Sequence, residues 1–293
     1  MYDDVLLPTD GSPGAEAAIA RALDLARTGG SILHALYVVD TGPEPPGLAG
    51  EHRDTLRAAA EGRGRQATAL VRERAVDLDL RTVREIREGV PYRQILEYAE
   101  EADVDLVVMG THGRSSAEPA RLGSTAERVL ARADVPVLTV RLATGDEQPP
   151  RSGYGMYDEV VVATDGSDAA ERAADHALGI AERYGADVHV VYVLDTSVYE
   201  LADAERSIVG LLEGGGENAV ERVATEARER NLPVETHVLR GAPARTVLDY
   251  ADGVEADLLA LGTRGLAGVG ERFLGSTTRR VLGRADCPVL TGR

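Results

Sequence analysis

The fold can be predicted from residues 105–125, which read DLVVMGTHGRSSAEPARLGST. The first five residues form a short and mostly apolar run, which is typical of a strand buried in a parallel sheet. A glycine-rich loop follows, in which two residues separate Gly110 from Gly113. After nine more residues comes Gly123-Ser-Thr125, which opens a segment with helical spacing of its apolar side chains. The stretch therefore predicts a strand, a loop and a helix, the repeating unit of an α/β domain.

The chain contains this segment twice. Gly262 and Gly265 repeat the first glycine pair, and Gly275-Ser-Thr277 again follows after nine residues. Residues 1–41 also match residues 156–196, with 20 identities in 41 positions. Each copy has the length of one domain and is too long for a solenoid repeat. The expected organisation is a domain at 1–143, an exposed linker rich in Pro, Gly and charge at 144–155, and a second domain at 156–293.

Within each copy, apolar strand patterns alternate with helical patterns. In the first copy, strands are expected at residues 5–8, 32–39, 80–86, 105–109 and 136–140. Helices are expected at residues 13–27, 52–76, 92–101 and 124–132. Because Val-rich and Leu-rich strands separated by helices form parallel sheets, the predicted fold class is α/β, with two tandem doubly wound domains and helices on both faces of each sheet.

The composition excludes several classes of function. The 293 residues carry 32 basic and 49 acidic side chains, a formal net charge of −17, and the printed sequence contains no lysine. A Schiff-base lysine and a phosphate-loop lysine are therefore excluded, and the acidity argues against nucleic acid as a partner. A single cysteine, Cys287, excludes a disulfide within the chain. No apolar run is long enough to span a bilayer and the first residues are unlike a signal peptide, so a cytoplasmic protein without membrane contact is expected.

The charge pattern has two explanations, which the sequence leaves open. An acidic surface without lysine resembles proteins adapted to concentrated salt, so a halophilic protein is one prediction. A GC-rich genome that encodes arginine in place of lysine explains the missing lysines equally well.

Unusual residues follow the predicted strands at the edge where parallel sheets bind ligands. Thr9-Asp10 and Thr164-Asp165 follow the first strand of each copy, and Val38 and Val193 lie near the end of the second. The Gly-Ser-Thr helix openings place free N–H groups and hydroxyls where an anion is favoured. The same residues also suit an ordinary helix N-cap, so a phosphate site and a structural cap are both open at this point.

Taken together, the motif G-x2-G-x9-G-S-T, the Asp after strand one and the Val-x-Asp segment after strand two resemble the universal stress protein family. The resemblance covers both copies and lacks only the linker. It implies a five-stranded parallel sheet of order 3-2-1-4-5 in each domain, with ATP or AMP (or ADP) bound at the carboxyl edge, together with Mg²⁺ where ATP carries it. It also implies that the two halves pair as a pseudo-dimer, with a further homodimer as an open alternative.

The resemblance assigns nucleotide binding to positions in both copies. In the first copy these are Pro8, Thr9, Asp10, Val38, Met109, Gly110, Gly113, Gly123, Ser124 and Thr125. In the second copy they are Thr164, Asp165, Val193, Gly262, Gly265, Gly275, Ser276, Thr277 and Thr278. No residue is assigned to catalysis or to direct metal binding. Unequal sites are expected, because Ala126 stands where the second copy has Thr278, and Arg114 and Arg121 stand where it has Leu266 and Phe273.

The predicted function is a stress-response protein that binds ATP or AMP and acts as a sensor or regulatory module for an unknown protein partner. The alternative is a scaffold of the same fold that needs no nucleotide. An enzyme is not expected beyond slow ATP hydrolysis, because the loops lack a base, nucleophile and orienting group in a shared pattern. His34 and His189, inside the second strand of each copy, are expected to be structural, and His112 is expected to face water.

Overall fold

The computed structural model describes residues 2–42, 50–113, 122–141, 156–195, 206–265 and 273–293. These residues belong to two compact units, Met1–Leu142 and Ala143–Arg293. The linker expected at 144–155 lies outside the described residues.

Each unit contains five strands and four helices in alternation among its described residues. Unit one consists of β1 Asp4–Pro8, α1 Pro13–Gly29, β2 Ile32–Asp40, α2 Gly50–Val76, β3 Thr82–Gly89, α3 Pro91–Glu101, β4 Leu106–Gly110, α4 Ser124–Leu130 and β5 Val137–Val140. Unit two consists of β6 Glu159–Ala163, α5 Asp168–Tyr184, β7 Asp187–Asp195, α6 Arg206–Glu229, β8 Val234–Gly241, α7 Pro243–Gly253, β9 Leu258–Gly262, α8 Ser276–Leu282 and β10 Val289–Gly292.

In both units the strands pair in parallel. The order is β3-β2-β1-β4-β5 in unit one and β8-β7-β6-β9-β10 in unit two. The sequence prediction of two tandem doubly wound α/β domains is confirmed. Because the order reverses between the first and fourth strands of each unit, the carboxyl ends of β1 and β4, and of β6 and β9, border the crevice where such sheets bind ligands.

The central strands form the core of each unit. Val5, Leu6 and Leu7 of β1 are fully buried, as are Val160, Val161 and Val162 of β6. Because the helices that cover these strands present mainly alanine, leucine and isoleucine, the core needs few aromatic side chains. β3 is an edge strand whose residues are half-buried or exposed. Its sequence is therefore less apolar than the sequences of the central strands.

The limits of the helices follow from local signals. The Ser12 hydroxyl accepts a hydrogen bond from Ala15 N–H at the start of α1, and Gly30 ends this helix with a φ of 73°. Ser167 and Gly185 take the same roles around α5. The predicted start of the third strand at residue 80 was wrong by two residues. Leu80 N–H bonds to the carbonyl of Ala75, and Asp79 has a φ of 55°, so this segment is the turn that ends α2.

Candidate functional site

The second strand of each sheet extends beyond the end of the first. β1 pairs with β2 up to Pro8 opposite Leu36, and Thr9 N–H then donates to the carbonyl of Leu36. β2 continues to Asp40, and its later residues still pair with β3. Because backbone groups two residues apart point to the same side of a strand, the N–H and C=O of Val38 face the space beyond the end of β1.

Unit two repeats this arrangement. β6 ends at Ala163, and Thr164 N–H donates to the carbonyl of Val191. Val193 lies two residues further along β7, so its backbone groups face the space beyond β6. Each unit thus presents one backbone donor and one backbone acceptor at the carboxyl edge of its sheet.

The turn after the first strand orients an aspartate. Oδ1 of Asp10 accepts the N–H of Ser12 at 2.9 Å, and the Thr9 hydroxyl accepts the N–H of Gly11 at 3.2 Å. In unit two the corresponding distances are 3.0 Å from Asp165 Oδ1 to Ser167 N and 3.1 Å from Thr164 Oγ1 to Gly166 N. The glycine of each turn has a positive φ, 70° at Gly11 and 78° at Gly166, which favours glycine there.

The second oxygen of each aspartate lies against the loop after the fourth strand. A Cβ added to Gly113 would lie 2.7 Å from Asp10 Oδ2, and one added to Gly265 would lie closer still to Asp165 Oδ2. Glycine at these two positions therefore lets the loop backbone approach the carboxylate. The structure brings together the predicted residues Asp10 and Gly113 in unit one and Asp165 and Gly265 in unit two.

A backbone hydrogen bond closes the base of this loop. Gly123 N–H donates to the carbonyl of Thr111 at 2.9 Å, and Gly275 N–H donates to that of Thr263 at the same distance. Ser124 and Ser276 are exposed at the first position of α4 and α8, and each helix begins after a glycine without a side-chain cap. The residues between the loop ends, 114–121 and 266–272, lie outside the described residues. The predicted contrast between Arg114 and Arg121 and their counterparts falls largely there, although Phe273 is described and exposed.

Several predicted residues have packing contacts that the sequence did not predict. A Cβ on Gly110 would lie 2.6 Å from the carbonyl carbon of Gly14, and one on Gly262 would lie 2.8 Å from Ala170 N. Glycine at 110 and 262 thus lets the fourth strand contact the first turn of the helix beside it. The Thr278 hydroxyl is buried and donates to the carbonyl of Gly262 at 2.8 Å, which joins α8 to β9. Pro8 and Met109 are buried within their strands.

His112 differs from its expectation. The prediction that this side chain faces water was wrong, because the residue is half-buried and its Nδ1 lies 2.9 Å from Thr111 Oγ1. Its Nε2 is buried and has no hydrogen-bond partner among the described residues. A Cβ added to Gly14 would lie 2.3 Å from the carbonyl oxygen of His112, so glycine at position 14 lets this part of the loop lie close to α1.

An arginine missed by the sequence analysis lies at the turn in unit two. Arg222, on α6, donates to the carbonyl of Gly166 at 3.4 Å and pairs with Glu171 at 2.6 Å. No motif marks this residue, because α6 is distant in sequence from the turn and only the fold places it there.

The strand histidines have hydrogen-bond partners within the fold, as expected. His34 Nδ1 lies 2.7 Å from the Tyr98 hydroxyl, and its Nε2 lies 2.7 Å from Asp4 Oδ1. His189 makes the matching contacts with Tyr250 and Glu159, both at 2.9 Å. Both histidines lie near the start of their strands, away from the carboxyl edge.

The sequence of each unit also matches a known protein family. The sequence model of the universal stress protein family matches residues 1–141 and again residues 156–293. The chain belongs to the universal stress protein family. Because each unit is matched separately, it is a tandem member with two family domains.

Some relatives match about half of this universal stress protein and others match nearly all of it. A universal stress protein of Methanocaldococcus jannaschii is 38% identical over 143 residues, which cover 48% of this chain and 84% of the relative. A universal stress protein of Mycolicibacterium smegmatis is 28% identical over 299 residues and covers 99% of this chain and 96% of its own length.

The fold also has a solved counterpart. A crystal structure of a universal stress protein from Archaeoglobus fulgidus superposes with a TM-score of 0.72 at 23% identity, over 98% of this chain and 97% of that one. In the described part of this universal stress protein, no helix is both long and apolar enough to cross a membrane.

Proposed function

We propose that this universal stress protein binds an adenine nucleotide, ATP or AMP, at the carboxyl edge of each sheet and acts as a nucleotide-dependent sensor or regulatory module. The observation that carries the proposal is the contact between the aspartate after the first strand and the glycine after the fourth. In both units, Oδ2 of the aspartate and the loop backbone meet beside the backbone groups of Val38 or Val193 that face the space beyond the first strand.

Each part of this edge suits one part of a nucleotide. The N–H and C=O of Val38 and Val193 match the donor and acceptor on the Watson–Crick edge of adenine. Oδ2 of Asp10 and Asp165 is an acceptor for a ribose hydroxyl. The backbone at Gly113 and Gly265 lies next to the ribose and phosphates, and the Gly-Ser-Thr segments supply N–H groups and hydroxyls to the phosphates.

The missing lysines restrict how phosphate can be held. With a net charge of −17, the whole molecule repels ATP at long range. Attraction must therefore come from backbone N–H groups, hydroxyls and arginine close to the phosphates. Mg²⁺ bound to ATP would lower the negative charge of the nucleotide and so reduce the repulsion. The carboxylates of the site would accept hydrogen bonds from water molecules that coordinate the ion.

Slow hydrolysis is the most that this site should catalyse. A general base needs a carboxylate or imidazole free to accept a proton from water. Oδ1 of Asp10 and Asp165 is occupied by the turn, and Oδ2 faces the glycine that would contact the ribose. We therefore propose that the protein acts through the binding of nucleotide and not through the rate at which it hydrolyses ATP.

The test is an equilibrium titration of nucleotide-free protein with labelled ATP and Mg²⁺ in concentrated salt, with GTP as the matched comparison. Saturable ATP binding that GTP competes with poorly supports the proposal, because the Val38 and Val193 backbone groups pair with adenine and mismatch guanine. Absence of binding up to millimolar ATP contradicts it.

One observation favours a scaffold that needs no nucleotide. Gly110 and Gly262, the first glycines of the motif, are already explained by their contact with α1 and α5. Packing alone therefore accounts for the first glycine of each motif. If a folded variant that no longer binds ATP leaves the cellular phenotype of the protein unchanged, this result favours the scaffold.

A further inference from the structure

A second cluster of polar side chains lies at the opposite end of the sheet in unit two. His189 is near the start of β7, and Glu235 and His237 are near the start of β8. His189 is the direct strand partner of Glu235, and residues two apart on a strand share a face, so all three lie on one face of the sheet. One nitrogen of each imidazole and one carboxylate oxygen of Glu235 lie within 4.8 Å of one another.

The separation of these atoms is close to that of metal ligands. Two atoms that each lie 2.0–2.1 Å from a tetrahedral zinc ion are about 3.4 Å apart. His237 Nε2 and Glu235 Oε2 are 3.5 Å apart, and the Glu235 side chain is 70% exposed, so it can adjust. Nε2 of His237 is itself buried and makes no hydrogen bond to any described residue.

His189 is held as a metal-binding histidine usually is. Its Nε2 lies 2.9 Å from Glu159 Oε2, and an ionised carboxylate only accepts, so the proton is on Nε2. In the neutral imidazole with its proton on Nε2, Nδ1 carries the lone pair that can bind a metal ion, and the Tyr250 hydroxyl lies 2.9 Å from it. A carboxylate behind the distal nitrogen is the common outer partner of a metal-bound histidine.

Tyr250, on α7, lies against the nitrogen of His189 that would bind the ion. Its hydroxyl is 2.9 Å from His189 Nδ1, so an ion bound to this nitrogen would have to displace the hydroxyl.

Unit one contains only part of this polar cluster. His34, Tyr98 and Asp4 reproduce the histidine, tyrosine and carboxylate of the cluster. On β3, however, Val83 pairs with His34 where unit two has Glu235, and Glu85 occupies the place of His237. The triad is common to both units, whereas a carboxylate opposite the histidine and a second imidazole are found only in unit two among these paired positions.

We propose that His189, Glu235 and His237 form a binding site for a divalent transition-metal ion of the zinc type, separate from the nucleotide edge. Two imidazoles and one carboxylate favour zinc over Mg²⁺ or Ca²⁺, which prefer oxygen ligands alone. With three protein ligands, the fourth position of a tetrahedral ion remains open to water or to an external ligand.

The test uses the full-length chain without an affinity tag, treated with a chelator, dialysed, and titrated with ZnCl₂ by calorimetry in nucleotide-free buffer. CoCl₂ in place of zinc reports tetrahedral coordination through its visible absorption. We expect one tightly bound ion per chain. Glu159→Gln should weaken binding roughly tenfold, because the outer carboxylate no longer orients His189.

The matched variant is the double substitution Glu235→Val with His237→Glu, which gives unit two the pair that unit one already contains. It should abolish tight zinc binding, whereas His52→Gln, on the surface of α2, should leave it unchanged. Circular dichroism establishes that each variant is folded. If the double variant does not fold, Glu235→Gln takes its place, with at least about tenfold weaker binding expected.

Absence of tight zinc binding by the wild-type chain overturns the proposal. So does unchanged affinity in the folded double variant or in Glu235→Gln, or loss of binding in His52→Gln.

Discussion

At the residue scale, the same threonine hydroxyl has two candidate roles. Family resemblance assigns Thr278 to the nucleotide, whereas its hydroxyl is buried and donates to the Gly262 carbonyl. Unit one has Ala126 at this position and still forms the corresponding strand and helix. The hydrogen bond therefore adds stability to unit two and is not needed for the fold itself.

Replacing Thr278 by valine keeps the shape and removes this hydrogen bond. The buried Gly262 carbonyl loses a partner, so the free energy of unfolding of unit two should fall by about 1–3 kcal/mol. Denaturant unfolding and ATP titration of the same variant measure both roles, with Thr278→Ser as the control that keeps the hydroxyl. Unchanged stability together with weaker ATP binding would contradict the structural role.

At the element scale, strand ends determine what each edge of the sheet can bind. β2 and β7 extend beyond β1 and β6, which leaves backbone groups open at the carboxyl edge. At the amino ends, histidines on the same strands connect to α3 and α7 through Tyr98 and Tyr250. Tyr98 is buried and Tyr250 is half-buried, and each phenol connects the third helix of its unit to the sheet.

The tyrosines predict how stability changes at alkaline pH. Burial raises the pKa of Tyr98 and of Tyr250, and the charges of Glu85 and Glu235 add to this effect. The folded state therefore holds the phenol proton more tightly than the unfolded chain, which releases it near pH 10. Their contribution to stability is complete below pH 10 and is lost as the pH rises through the raised pKa.

We expect the melting temperature to fall above pH 10, and the fall to be smaller in a Tyr98→Phe, Tyr250→Phe variant whose starting stability is lower. Tyr92→Phe is the control, because the bond from Arg93 lowers the pKa of Tyr92. An identical alkaline fall in the double variant and the wild type would show that these phenols are not responsible.

Sequence patterns predicted most elements because strand and helix periodicities are local. The buried strand from Val5 to Leu7 and the helix that follows it both depend on the order of apolar and polar residues within a short segment. The packing role of Gly110 was not predictable, because Gly14 is distant in sequence and only the sheet brings them together. The cluster of His189, Glu235 and His237 was missed for the same reason: its ligands lie on two strands and form no contiguous motif.

At the scale of the whole molecule, charge should affect nucleotide binding in an unusual direction. A protein with a net charge of −17 repels ATP over a distance set by the salt concentration. The Debye length falls from about 30 Å at 0.01 M salt to about 3 Å at 1 M, so salt screens this long-range repulsion. Salt screens the short contacts between nucleotide and site much less, because these groups are in direct contact and partly buried.

ATP affinity is therefore expected to rise, or association to become faster, as KCl increases from 0.05 to about 1 M. Stopped-flow or equilibrium titration across this range measures the effect, and uncharged adenosine is the control that should show a much weaker dependence. A steady loss of ATP affinity with added salt would instead indicate a strongly positive phosphate site.

The proposed nucleotide site depends on the close approach of a loop glycine to an aspartate in each unit. One titration tests this dependence most directly. ATP binding is compared between the wild type, the Gly113→Ala, Gly265→Ala variant, and Gly215→Ala, an exposed position of α6 where a Cβ meets nothing within 4 Å. Added methyl groups at 113 and 265 would press on Asp10 and Asp165, so the double variant should bind ATP at least about tenfold more weakly, a change of about 1.4 kcal/mol. Gly215→Ala should bind like the wild type. Equal ATP affinity in all three proteins, or no binding by the wild type, would contradict the account.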